Sequence, residues 1–152
     1  MRVTIKRNLL AWLALLAAAS PAMAELGGNV TSVEADQQHL MAQRRILAAA
    51  AYTVQEIQMP SGTVVREYVT PAGIVFAVSW SGPQMPDLRQ IFGSKYFSQW
   101  QDAAKAQGLR HGPMQVQQPD LVVQTGGHMR AHVGLAYVPQ LVPEGVSVDQ
   151  LQ

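Results

Sequence analysis

The stretch YTVQEIQMPSGTVVREYVTPAGIVFAVSW, residues 52–80, carries the reading of the fold. Residues 52–59 alternate and are rich in strand formers. Pro60-Ser61-Gly62 follows, residues 63–69 alternate again, Pro71-Ala72-Gly73 is a second break, and residues 74–80 form a third run. Period-two alternation marks a half-buried strand, because successive side chains point to opposite faces. Each break reads Pro, small residue, Gly, which suits a type I turn closed by a left-handed glycine. Three strands joined by two such hairpins make an antiparallel meander, over about residues 52–80. The turns imply a register in which Met59 pairs with Thr63 and Thr70 with Ile74. One face then carries Tyr52, Val54, Val64, Tyr68, Ile74, Phe76, Val78 and Trp80 and is expected to be core. The other carries Thr53, Gln55, Thr63, Glu67, Ala77 and Ser79 and is expected to be half wet.

After this stretch, Leu88, Ile91, Phe92, Tyr96, Trp100 and Ala103 recur at helical spacing, so a helix is expected over about 86–107, packed on the core face. Gly93-Ser94 interrupts it. Residues 120–138 read as a C-terminal hairpin turning at Gly126-Gly127. From about residue 139 the chain reads as a peripheral tail. Before the stretch, residues 42–51 fit either a helix or a strand. Thr31 or Ser32 would cap an earlier helix with Glu34 and Asp36 in its first turn. The fold class is therefore α+β, with an antiparallel sheet of four to six strands.

The first segment speaks for export. Arg2, Lys6 and Arg7 precede an apolar run of eleven residues, 9–19, and Ala22-Met23-Ala24 supplies small residues for cleavage after Ala24. That is the pattern of a secretory signal over residues 1–24. The run is too short to span a bilayer, which takes ~20 residues. No twin Arg precedes it, which favours secretion of the unfolded chain. Cleavage would leave residues 25–152 as a single globular domain in the periplasm or outside the cell. Removing three of eleven basic residues leaves eight against ten acidic ones, a net charge of −2. Nucleic acid and anionic lipid are then poor partners. With no cysteine in the chain, a lipid-anchored Cys, disulfides and thiol chemistry are excluded.

Few residues carry chemistry. If residues from 128 onward form a strand, His128, Arg130 and His132 stand in a row on one face, with Met129, Ala131 and Val133 facing the core. Arg130 between the two imidazoles disfavours a metal and suits an anionic ligand or a carboxylate surface. Glu56 and Arg66 fall opposite each other and read as a structural ion pair. Ser79 and Ser81 lack the Gly-x-Ser-x-Gly setting of a nucleophilic serine. No phosphate loop or dinucleotide fingerprint is present. No catalytic residue, metal or cofactor is expected.

LGG near residue 26, the run from YTVQEIQM to the GPQMPDLRQIFG of residues 82–93, and LVVQTGGHMRAHVGLAYVPQLVP near the end together resemble a family. It is the uncharacterised family of exported Gram-negative proteins known as domain of unknown function 2844. The resemblance implies secretion and a single domain, and brings no activity or ligand. The expected function is a non-catalytic binding or assembly module whose partner is an envelope protein or a surface polymer. The alternative is a small periplasmic hydrolase using His128 or His132 as base.

Overall fold

The computed structural model describes residues 26–29, 43–108 and 113–151. The segment expected to be a signal and the helix expected after Thr31 lie outside them. Seven strands are described: β1 (Gln43–Ala48), β2 (Thr53–Gln58), β3 (Val64–Val69), β4 (Val75–Gly82), β5 (Met114–Gln118), β6 (Leu121–His128) and β7 (Ala131–Tyr137). They form one antiparallel sheet in the order β1-β2-β3-β4-β7-β6-β5. One helix, α1 (Leu88–Ala106), lies between β4 and β5 in sequence. The class is α+β. The strand count exceeds the expected four to six, because residues 43–48 are strand and the short polar run at 114–118 adds an edge.

The two Pro-x-Gly turns close in the same way. Met59 N–H donates to the Thr63 carbonyl at 2.8 Å, and Thr70 N–H donates to that of Ile74 at 2.9 Å. Gly62 and Gly73 take positive φ of 86° and 80°, which a side chain would resist.

Between β3 and β4 the register slips. Tyr68 pairs with Ala77 but Val69 pairs with Val75, so Phe76 is the extra residue of a bulge. Phe76 and Ala77 therefore join one cluster, while Val75, Val78 and Trp80 join the other. This corrects the expected faces. The helix covers the face of Ile57, Val65, Val69, Val75, Val78 and Trp80, through Leu88, Ile91 and Phe92. Gln55 and Glu67, expected to be half wet, are buried on this face at 3% and 1% exposure.

The opposite face is not wet either. Tyr52, Val54, Tyr68, Phe76, Ala77, Leu135 and Tyr137 pack there against Leu141, Val142, Val146, Val148 and Leu151. Leu151 is fully buried. The tail, expected to be peripheral, is thus the second cover of the sheet. It reaches there through two 3-10 turns, Pro139–Leu141 and Val148–Gln150.

Asp87 caps α1, accepting hydrogen bonds from the backbone N–H of Arg89 (2.9 Å) and Gln90 (3.3 Å). Gly93 breaks the helical path at φ 71°, ψ 168°. The first turn sits in the core, while Tyr96, Phe97 and Trp100 are partly buried beyond the kink. Gln99 and Lys95 both reach Asp120, in the β5–β6 turn. The Gln99 hydrogen bond is the main cause that holds the Asp120 carboxyl below its usual range. Among the described residues no helix is long and apolar enough to cross a membrane.

Candidate functional site

Residues directly opposite across antiparallel strands share a face. Following the pairings strand by strand places Arg45, Glu56, Arg66, Ser79, Leu135, Gln124 and Gln115 in one row across all seven strands. The row lies on the face away from the helix. Beside it runs the row of Tyr68, Ala77 and Tyr137, to which the tail packs. On the other side run Val64, Ser81, Val133 and Gly126. The tail covers the aromatic row and reaches the polar one only at Leu135.

A groove of ≈ 590 Å³ follows. Arg66, Ser79, Ser81, Gln115, Gln124 and Thr125 line it with polar groups, together with Trp80, Pro113, Met114, Gly126, Val133, Gly134 and Leu135. Gly126 lines it without a side chain, and a Cβ added there would meet Val133 at 3.6 Å, an ordinary van der Waals contact. The polar groups are held. Arg66 Nε donates to Glu56 Oε2 at 2.9 Å, with the two side chains 30% and 24% exposed. The Ser79 hydroxyl shares a hydrogen bond of 3.1 Å with the buried Tyr68 hydroxyl. Burial pushes the Tyr68 phenol up, against the smaller opposing effects of Ser79 and Arg66.

The sequence-expected site is placed differently. The hairpin does not turn at Gly126-Gly127. β6 runs on to His128, Met129 and Arg130 form the turn, and β7 starts at Ala131. His128 pairs with Ala131 and His132 with Gly127, so alternation puts the two histidines on opposite faces of the hairpin. Arg130 stands at the tip with φ 64°. The row of His128, Arg130 and His132 on one strand face is therefore not formed. Met129, expected to face the core, is 88% exposed, and Val133 is 46% exposed. Among the described residues no three His, Asp or Glu side chains gather as a metal site would require. Glu56 and Arg66, by contrast, are brought together, and Arg66 borders the groove.

Sequence reasoning missed Gln115, Gln124 and the groove role of Ser79 and Ser81. The signal lay in the pairing order β4-β7-β6-β5, which no local pattern reports.

A family model described as protein of unknown function, DUF2844, matches residues 22–151. The chain belongs to that family. No curated protein and no solved structure matches it.

Proposed function

We propose that this member of the family is an exported, non-catalytic binding module of the cell envelope, and that its ligand seats in the groove beside the tail. The observation that carries the reading is the polar row itself. Five strands present Arg66, Ser79, Leu135, Gln124 and Gln115 in register along an open groove. Strands hold side chains more firmly than loops do, so such a row is a preformed recognition surface. Its polar groups are amides, hydroxyls and one guanidinium. No imidazole or carboxylate, the usual acid–base groups, is among the residues that line the groove. The polar groups present can hold and orient a ligand by hydrogen bonds.

The signal pattern of residues 1–24 supports the export half of the reading. The family match begins at residue 22, at the edge of the expected cleavage site. The mature chain would work in the periplasm or outside the cell, with a surface polymer or an envelope protein as its partner.

Two measurements test this. N-terminal sequencing of the protein recovered from the periplasmic fraction should begin at Glu25; recovery of intact protein in the cytoplasm alone would end the export half. Immobilised protein should retain envelope material that Gly126→Leu does not retain. The variant puts a side chain on the groove lining without demanding a positive φ, since Gly126 is not among the positive-φ glycines. Equal retention by wild type and variant would remove the groove as the binding site.

A further inference from the structure

We infer that the groove takes an oligosaccharide bearing a carboxylate, laid across the strands with that carboxylate on Arg66; this rests on the binding reading above. The charge distribution points there first. Arg66 is the one charged side chain among the residues that line the groove. Its Nε is occupied by Glu56 at 2.9 Å, which fixes the plane of the guanidinium. A guanidinium has five N–H donors in a rigid fork, so the remaining donors stay available for a second carboxylate in paired geometry. The cation is thus oriented by one anion and complementary to another.

The rest of the row sets the class of ligand. Ser79, Gln124 and Gln115, with Ser81 of the neighbouring row, carry groups that both donate and accept hydrogen bonds, as sugar hydroxyls do. Val133, 46% exposed, also lines the groove and offers an apolar place for the C–H side of a sugar ring. From β3 to β5 the row crosses four strand spacings, roughly 19 Å at about 4.8 Å each, which suits a short chain rather than a single small anion. A peptide strand fits less well, because strand addition uses the backbone of a sheet edge, whereas this groove lies on a face whose backbone groups pair within the sheet.

The test uses the purified protein, calorimetric titration and backbone-amide NMR. The probes are a uronic-acid tetrasaccharide, its carboxyl-reduced neutral counterpart and inorganic phosphate. The acidic tetrasaccharide should bind and shift amides of β4, β6 and β7. The neutral form should bind roughly tenfold more weakly or worse, the usual size of a lost charge-assisted hydrogen bond. Arg66→Gln should abolish the preference for the acidic sugar over the neutral one. Arg66→Lys, which keeps the charge and loses the fork, should recover part of the difference. Thermal unfolding would show that both variants fold. Equal affinity for acidic and neutral sugars overturns the carboxylate assignment. Phosphate binding as tightly as the acidic sugar overturns the oligosaccharide. If neither sugar shifts the groove amides while Gly126→Leu still abolishes retention of envelope material, this inference falls and the binding reading stands. If Gly126→Leu leaves that retention intact, the binding reading falls as well.

Discussion

Trp80 and Gly134 sit opposite each other on β4 and β7, and the indole lies where a side chain on Gly134 would be. A Cβ there would come within 2.0 Å of the Trp80 ring, and that ring is pinned against Phe92, 5.9 Å away between centroids. Gly134→Ala should therefore lower stability by about 2–3 kcal/mol, the upper range for overpacking a filled core, whereas Gly126→Ala should stay within about 0.5 kcal/mol. Urea midpoints of the two variants decide it; equal midpoints would mean the indole moves aside freely. Arg130 shows the opposite situation. Its φ of 64° costs an L-residue roughly 1–2 kcal/mol, a cost glycine does not carry. Arg130→Gly should raise stability by about 0.5–1 kcal/mol, read as a higher melting temperature; a fall would show that the Arg side chain anchors the hairpin tip. Tyr68 gives a pH signature. Burial raises its pKa in the folded state, so the unfolded chain gives up this proton first, near pH ~10. The stabilisation is fully present below that value and is lost as pH rises through the folded pKa. Urea unfolding from pH 8 to 11 should show wild type losing stability at the alkaline end, and Tyr68→Phe should flatten that loss while costing about 1 kcal/mol at pH 8 through the Ser79 hydrogen bond. An unchanged alkaline slope in the variant would assign the loss to other groups.

The elements divide the sheet's two faces between them. Helix α1 covers one with its first turn, which enters the core before Gly93 redirects the rest. The tail covers the other with isolated apolar residues spaced along two 3-10 turns, Leu141, Val142, Val146, Val148 and Leu151. That spacing has neither helical nor strand period, which is why the tail reads as peripheral in the sequence although Leu151 is fully buried. It packs on Leu135, which also borders the groove, while no residue of the tail itself lines the groove. Leu151→Ala should cost about 2–4 kcal/mol, as for other buried leucines, and should expose the cluster of Tyr68 and Phe76 to hydrophobic dyes. Met129→Ala, at an 88% exposed position, is the control and should change nothing measurable. A Leu151→Ala variant as stable as wild type would mean that the tail rests on the sheet without holding it.

At the scale of the whole molecule, the sheet is two antiparallel runs, β1-β2-β3-β4 and β5-β6-β7, joined where β4 pairs with β7. Much of the first run is legible in residues 52–80, because alternation and Pro-x-Gly turns are local signals, and the helix is legible from its spacing. The faces are less so. A single bulge residue, Phe76, reverses the side on which the rest of β4 packs, and no local pattern announces it. β1 is ambiguous because Arg44-Arg45-Ile46-Leu47-Ala48 fits either period, and β5 is concealed by its glutamines. The groove is least legible of all, since Arg66, Ser79, Leu135, Gln124 and Gln115 meet only through the β4–β7 junction. That junction also sets how the molecule opens. β4 and β7 each have partners on both sides and bury Phe76, Trp80, Leu135 and Ala136, so their amides should exchange only through global unfolding. β1 is at an edge, with Ile46 59% and Leu47 38% exposed, and few buried contacts oppose its release; local opening of such a strand costs far less than the global free energy. Hydrogen exchange followed by mass spectrometry should therefore show β1 peptides exchanging first, β2 and β5 next, and β4 with β7 last. The groove row from β3 to β5 would then remain assembled while β1 opens, so ligand should slow exchange in β4, β6 and β7 and leave β1 unaffected. Protection of β1 equal to that of β4 would overturn this order and place the edge strand within the same cooperative unit as the junction.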